Sequence, residues 1–187
     1  LTQLYTNQVL PYYRAPHILL GFPTRYNVGR GHLTRFNERL SRVSKRYGTD
    51  YTDGGFMASR DRETFKMWGE AFIRPGPVEE ARWVYGANYQ NWGLVETKSR
   101  TKGAPNEISL YAAEGDGWEG PGTSLSRYTI RIDGFVSVEA PMAGGEIFTK
   151  PLIFTGKKML INFATSAAGS VLTEIQDDTG RALEGFT

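Results

Sequence analysis

The sequence contains no cysteine among its 187 residues. This absence excludes a disulfide-stabilised scaffold, a thiolate metal site and a cysteine nucleophile. Histidine is also scarce, because His17 and His32 are the two present, which is too few for a histidine-rich metal site. The sequence therefore predicts no metal site, and we expect no other cofactor.

Long apolar runs and a strong net charge are missing as well. No stretch approaches the roughly 20 apolar residues that a membrane-spanning helix needs, and no basic, apolar leader stands at the start. The formal charge is +2, from 22 basic and 20 acidic residues. A balance this small does not by itself indicate a nucleic-acid or membrane partner, and we expect neither.

Aromatic and turn-forming residues are plentiful. Aromatics make up 13% of the chain, with 22 glycines and 9 prolines. Aromatic side chains favour strands, and glycine and proline favour the turns between them. The composition therefore predicts an all-β fold.

One segment departs from the β pattern and predicts a short inserted helix near residues 32–46. Apolar residues recur there at spacings of three and four, which is typical of one helix face, at Leu33, Phe36, Leu40, Val43 and Tyr47. Arginine and lysine lie mostly off this face. They form either a solvated basic side or a contact for a polyanion.

Residues 52–77 predict a β-hairpin around which the chain is organised. One strand carries Phe56, Met57 and Ala58, a polar turn covers 59–63, and a second strand covers 64–68. Ser59 and Asp61 are expected to accept hydrogen bonds from backbone amides within this turn.

Further strands are predicted along the rest of the chain. Before a Pro/Gly boundary at 140–145 they cover 4–7, 17–22, 90–96, 107–113 and 123–132. After it, short strands at 146–149, 152–155, 159–165 and 170–176 are joined by tight turns, which is typical of a β-sandwich.

Several of these segments together resemble one protein family. They are the hairpin turn ASRDR at 58–62, YYRAPHI at 12–18, VYGANYQNWGLVET at 84–97 and the tail at 144–186. The hairpin is similar to the Asp-box of sugar-acting propellers, with Arg62 where the usual glycine stands. The whole is similar to bacterial glycosidase-like five-bladed β-propeller proteins, related to invertase/levanase and arabinanase glycosidases, with a C-terminal β-sandwich.

The resemblance implies about two propeller blades over 1–139 and a partial β-sandwich over 140–187. It implies a carbohydrate-active, glycoside hydrolase-like protein that handles an extracellular glycan in an extracellular or periplasmic location. The chain then looks like a fragment, whose open sheet edges would be covered by a partner chain or by homo-oligomer formation. The alternative is a non-catalytic carbohydrate-binding or assembly module.

The resemblance implies an incomplete set of catalytic residues. In related arabinanase-like enzymes a general-acid Glu occupies the position of Arg14, and an arginine does not donate a proton at neutral pH. Glycoside hydrolysis normally needs two carboxylates, and this chain is expected to lack the full set. Glu96 at a strand end and Asp53, which is either a pocket carboxylate or a turn cap, are the candidate catalytic residues.

Two groups are candidates for substrate binding. Arg14 and His17 begin a predicted inner strand, where they either contact a sugar or are structural. Four residues of the aromatic segment form either a sugar-stacking platform or an internal packing surface: Tyr85, Asn88, Tyr89 and Trp92.

Overall fold

The computed structural model describes residues 3–29, 31, 35–77, 83, 85, 87–115 and 122–186 of the chain. Over these residues the protein is mostly β-sheet with two short helices, which confirms the all-β class. The strands are β1 (Gln3–Tyr5), β2 (Leu10–Tyr12), β3 (Ala15–Gly21), β4 (Thr24–Asn27), β5 (Tyr51–Gly54), β6 (Met57–Ser59), β7 (Lys66–Met67), β8 (Tyr89–Gln90), β9 (Val95–Thr97), β10 (Glu107–Glu114) and β11 (Ser124–Arg131); the helices are α1 (Arg35–Ser41) and α2 (Lys45–Thr49).

The chain divides into two compact units, Leu1–Ser137 and Val138–Thr187. The first unit contains three antiparallel sheets. Their strand orders are β1-β4-β5, β2-β3-β6-β7 and β11-β10-β8, with β9 also paired to β10. That these sheets are propeller blades stays a prediction.

The predicted hairpin at the centre of the chain is confirmed. β6 and β7 pair antiparallel, with Met57 opposite Met67. The side chain of Asp61 accepts hydrogen bonds from the backbone amides of Glu63 and Thr64, at 3.0 and 2.8 Å, and Ser59 accepts one from the amide of Arg62. Arg62 has a φ of 69°, a left-handed conformation that favours glycine, so this arginine occupies a position suited to the glycine of the similar motif.

An aromatic cluster forms the core of the first unit. The Phe56 ring lies 5.1–5.5 Å from the rings of Trp68, Phe72 and Phe135, and Phe22 packs on the same group. Each large apolar side chain buried in this way stabilises the fold by about 1.5–3 kcal/mol. The core therefore joins the hairpin to the preceding β3 region and to the segment after β11.

The single helix predicted near 32–46 is corrected to two. α1 ends at Ser41, and Ser44 adopts an extended conformation before α2 begins at Lys45. Leu40 is buried as the periodicity predicts, whereas Val43 is exposed because it lies in the break.

The strand predicted over 90–96 is also divided, because β8 ends at Gln90 and β9 begins at Val95, with Gly93 at a φ of 99° between them.

The second unit forms none of the strands predicted for it over its described residues, 138–186. One isolated bridge joins Gln176 to Ala182 across a turn. Nearly all apolar side chains of this unit are exposed, including those of Ile153, Leu160 and Leu172. Strands without a neighbouring strand leave their amides and carbonyls unpaired, which explains why the local pattern alone does not produce a sheet. The β-sandwich stays a prediction.

Candidate functional site

The turn between β2 and β3 presents an aromatic and a basic side chain on the surface of the first unit. Tyr12 lies opposite Ala15 in the antiparallel pair, so Tyr13 and Arg14 form the two-residue connection. The Tyr12 ring is buried and contacts that of Phe135 at 5.3 Å, which anchors the turn to the core. Tyr13 and Arg14 remain about half exposed, at 48% and 52%.

Asp133 joins this turn from the end of β11. Its Oδ1 accepts a hydrogen bond from the Tyr12 hydroxyl at 2.5 Å and lies 3.3 Å from Nε of Arg14. Burial first, and the bond to Asp133 second, raise the pKa of Tyr12 above its usual value. Tyr12 therefore remains protonated and acts as a hydrogen-bond donor that holds the Asp133 carboxylate beside Arg14.

Glu96 on β9 completes the group. Its Oε2 accepts a hydrogen bond from the Tyr13 hydroxyl at 2.7 Å, and its Oε1 accepts one from the Asn106 amide, also at 2.7 Å. Asn106 first and Tyr13 second hold the pKa of Glu96 below its usual value, with a smaller contribution from Arg14. The Glu96 carboxylate is therefore ionised at neutral pH.

These residues form what we call the Arg14 cluster: Tyr13, Arg14, Glu96, Asn106 and Asp133. The hydrogen bond to Glu96 first, and burial second, raise the pKa of the Tyr13 phenol, and the charges of Glu96 and Asp133 raise it further. The cluster thus combines a guanidinium, two carboxylates, an amide and an exposed aromatic ring on one surface. Such a set provides donors and acceptors for hydroxyl groups, together with an apolar face for stacking.

Chemically, this arrangement favours binding over proton donation. A glycosidase general acid needs a carboxyl group whose pKa is raised so that it holds a proton. Glu96 has the opposite perturbation, because two donors stabilise its charged form. Asp133 lies beside the Arg14 guanidinium and accepts a hydrogen bond from the Tyr12 hydroxyl.

The other predicted catalytic residue lies elsewhere. Asp53 on β5 is buried opposite Arg25 on β4, and both carboxylate oxygens accept bonds from that guanidinium, at 2.7 and 2.9 Å. Arg25 also donates to the carbonyl of Gly69 at 2.5 Å. Asp53 thus makes a bidentate cross-strand ion pair, and the structure does not bring it together with Glu96.

The four residues of the aromatic segment differ in their exposure and in their contacts. Tyr85 lies 5.5 Å from the Tyr26 ring and 5.7 Å from the Tyr47 ring, with the Arg46 guanidinium 4.9 Å above it. Asn88 is buried and donates to the carbonyl of Thr52 at 2.9 Å.

Tyr89 is half buried on β8, and Trp92 is 65% exposed. Tyr85 therefore packs against other aromatic side chains, and Asn88 provides a hydrogen-bond donor for a backbone carbonyl. Trp92 is the one of the four that is exposed.

His17 lies exposed on β3, three residues after Arg14. The sequence-based candidates that the structure does bring together are Arg14 and Glu96. Sequence reasoning missed Tyr13, Asn106 and Asp133. Asp133 and Gly134 form a turn in which the amide of Gly134 donates to the carbonyl of Arg131. The adjacent Tyr12-Tyr13 pair beside Arg14 is a sequence feature that could have marked this turn as a candidate site.

Among the described residues, no group of three or more histidine, aspartate or glutamate side chains is arranged to hold a metal ion. No helix in the described part of the chain has the length and hydropathy to cross a bilayer.

Comparison with known proteins gives no assignment. No protein-family model matches the chain, and neither a curated protein nor a solved structure matches it.

Proposed function

We propose that this protein is carbohydrate-active, glycoside hydrolase-like in architecture, and binds an extracellular glycan through the Arg14 cluster. The observation that carries the proposal is the assembly of Arg14, Glu96 and Asp133 on one exposed surface beside the Tyr13 ring. The propeller and sandwich architecture, and the location outside the cell or in the periplasm, belong to the same proposal and rest on the resemblance of the sequence.

Each charged group of the cluster already has a partner, which restricts its position before a ligand binds. Asn106 and Tyr13 orient Glu96, and the buried Tyr12 orients Asp133. A site that is ordered in advance loses less conformational entropy on binding.

The functional groups of the cluster match those of a sugar. Sugars present hydroxyl groups, which both donate and accept, and C–H faces, which pack on aromatic rings. Glu96 and Asp133 accept from hydroxyls, Arg14 and Asn106 donate to them, and the half-exposed Tyr13 provides the ring. A neutral, hydroxyl-rich ligand matches this mixture better than a purely apolar one.

A second candidate function is glycoside hydrolysis by the same cluster. The observation that favours it is that two carboxylates contact the Tyr13-Arg14 turn, Glu96 through Tyr13 and Asp133 through Arg14. Two is the number that hydrolysis normally requires. The lowered pKa of Glu96 suits a base or nucleophile rather than the acid, which must hold a proton. Binding is therefore the better supported of the two.

A screen of polysaccharides and an oligosaccharide array tests the proposal. We expect the wild-type chain to bind at least one glycan, and Arg14→Ala and Glu96→Gln each to weaken that binding by about tenfold to a hundredfold, the range for charge-assisted hydrogen bonds. Glu70→Gln, which changes an exposed glutamate outside the cluster, is the matched control and leaves affinity unchanged. The Arg14 pair is exposed, so its loss costs little stability.

Hydrolysis is measured in the same samples as release of reducing ends. Release that Glu96→Gln abolishes establishes the enzymatic alternative. If the wild-type chain binds no glycan and releases no sugar, the proposed function is overturned.

A further inference from the structure

The two short helices concentrate positive charge that the rest of the chain lacks. Residues 35–46 contain five basic residues and one acidic residue, which is a net charge of +4, whereas the whole chain has a net charge of +2. The remaining residues together therefore have a net charge of −2. All five basic side chains are exposed, and we call them the basic surface: Arg35, Arg39, Arg42, Lys45 and Arg46.

The arginines of α1 lie opposite to its buried face. Asn37 and Leu40 form that face, and each is 1% exposed. Arg39 follows Arg35 by four residues, and Arg42 follows by three more in the turn that ends the helix, where its amide donates to the carbonyl of Arg39 at 3.1 Å. Because helical residues three and four apart share a face, the three guanidinium groups are presented to solvent on the same side.

The second helix extends this surface because it packs closely on the first. A Cβ atom at Gly48 would overlap the backbone oxygen of Asn37, so the glycine permits the close approach of α2 to α1. Lys45 comes three residues after Arg42, and three residues of chain span at most about 11 Å. The basic groups therefore belong to one two-helix unit and lie close to one another.

Carboxylates do not balance this charge. Among the described residues, no ion pair joins Arg35, Arg42 or Lys45 to an acidic side chain. Asp50, which directly follows α2, is 7% exposed, and its carboxylate accepts a hydrogen bond from the Tyr26 hydroxyl. The nearest buried carboxylate is therefore already bound, and the exposed cations are available to an external anion.

Arg46 is held in place by tyrosine rings. Its guanidinium carbon lies 4.9 Å from the centroid of the Tyr85 ring and 5.5 Å from that of the Tyr47 ring. These two rings stack on each other at 5.7 Å, and the Tyr26 ring contacts Tyr85 edge-on at 5.5 Å. The rings thus contact one another and Arg46, so the guanidinium is oriented by cation–π contact before a ligand binds.

We propose that the basic surface binds a sulfated polysaccharide. A guanidinium donates two parallel hydrogen bonds to the oxygens of a tetrahedral anion, and several cations on one surface match the repeated anions of a linear polymer. The inference goes beyond the proposed function and does not depend on it, because the basic surface shares no residue with the Arg14 cluster.

A nucleic acid matches the same surface less well. Proteins that bind single strands stack bases on open aromatic rings, whereas Tyr47 and Tyr85 already contact each other and Arg46. Reading a duplex requires side chains that reach base edges, and the seven-residue α1 is about 10 Å long with its one amide side chain, Asn37, buried. Charge without stacking or base readout favours a sulfated polymer.

Calorimetry with a heparin oligosaccharide, and with the same oligosaccharide after removal of its sulfates, tests the inference. We expect the sulfated form to bind wild type at least tenfold more tightly, with an association constant that falls steeply as the salt concentration rises. Arg35→Gln, Arg42→Gln and Lys45→Gln combined are expected to weaken heparin binding by about a hundredfold and to make the salt dependence shallower.

The matched control removes three exposed positive charges from another part of the chain. Lys98→Gln, Arg100→Gln and Lys102→Gln combined change the net charge by the same amount in the loop after β9, and this variant retains heparin binding. Both triple variants change exposed side chains and are checked for folding by circular dichroism.

Glu38→Gln gives a second test in the opposite direction. It removes the one acidic side chain of residues 35–46, which is exposed, and we expect it to tighten heparin binding by about twofold to fivefold. Glu70→Gln, which changes an exposed glutamate outside the helices, leaves heparin binding unchanged.

The outcomes separate this inference from the proposed function. Absence of heparin binding, equal weakening by the two triple variants, or no tightening by Glu38→Gln overturns the basic surface as a site and leaves glycan binding by the Arg14 cluster intact. Tighter binding of a DNA duplex of equal charge, or of phosphatidylserine vesicles, overturns the polysaccharide assignment. Heparin binding that Arg14→Ala abolishes belongs to the Arg14 cluster and also overturns the separate surface.

Discussion

The two units of the chain have similar local sequence patterns but very different structures. Both contain short apolar runs separated by glycine-containing turns. In the unit Leu1–Ser137 these runs pair into three sheets around an aromatic core, whereas the described residues of Val138–Thr187 form one isolated bridge. The comparison teaches that strand-forming sequence becomes a sheet only where a neighbouring strand satisfies its backbone and covers its apolar face.

The apolar side chains of the second unit emphasise the contrast. Met142, Ile153, Leu160 and Leu172 are almost fully exposed, while Phe22, Ile108 and Leu110 of the first unit are buried. Contiguous exposed apolar surface is typical of a surface that another element covers. A partner chain or a homo-oligomer that covers it stays a prediction, as does the β-sandwich.

The largest effect is expected from the buried ion pair of the first unit. Asp53→Ala leaves the Arg25 guanidinium buried without its partner, and we expect it to lower the free energy of unfolding by about 3–5 kcal/mol. Urea denaturation followed by circular dichroism measures this loss. Asp178→Ala, an exposed aspartate of the second unit, is the control and changes stability by less than about 0.5 kcal/mol.

An unchanged denaturation midpoint for Asp53→Ala would show that the pair is not structural. Asp53 would then remain a candidate catalytic residue, as the sequence analysis predicts.

Truncation of apolar side chains compares the two units directly. Ile108→Ala removes a fully buried side chain and is expected to cost about 2–5 kcal/mol. Leu160→Ala removes an exposed one and is expected to change the free energy of unfolding by less than about 0.5 kcal/mol. The same urea titrations measure both. Equal losses would mean that the second unit has a core of its own in solution, which contradicts the contrast drawn here.

The smallest effect on stability is expected for two turns in which an aspartate accepts hydrogen bonds from backbone amides. Asp61 in the first unit and Asp177 in the second each accept hydrogen bonds from two backbone amides. Amide donors are the main cause that lowers the pKa of Asp61, from 3.8 to about 2. The Thr179 hydroxyl is the main cause that lowers the pKa of Asp177, with the amide of Arg181 second. Because its folded-state pKa is depressed, Asp61 stabilises the fold fully above pH 3.8 and loses this contribution as pH falls through about 2.

We therefore expect Asp61→Asn to be less stable than wild type at neutral pH, with a difference that vanishes near pH 2. Glu63→Gln removes the same charge from the same turn without touching these bonds, and its stability matches wild type. Asp177→Asn leaves the cooperative transition unchanged, because its turn is not joined to a buried core. A pH-independent difference for Asp61→Asn would mean that the charge of Asp61 does not stabilise its turn.

Local patterns in the sequence predicted much of the first unit. The hairpin, the strands β3, β10 and β11 and the buried Leu40 follow from alternation, helical spacing and turn residues close together in the chain. The break at Ser44 and the division between β8 and β9 were missed, because tertiary packing decides where an element ends.

The candidate site was predicted only in part, for the same reason. Arg14 and Glu96 were selected as strand-end polar residues, but their shared surface depends on contacts over long stretches of chain. Tyr12 meets Asp133 across 121 positions and Tyr13 meets Glu96 across 83. No spacing rule connects residues so far apart, so Asp133 and Asn106 were not recognised as members of the cluster.

Amide chemical-shift mapping by NMR, with an oligosaccharide selected by the glycan screen, tests the central claim most directly. The account predicts the largest shifts at Tyr13, Arg14, Glu96, Asn106 and Asp133, and none at Asn88 or in residues 138–186. Shifts concentrated around Trp92 or in the second unit, with the Arg14 cluster unaffected, would contradict it.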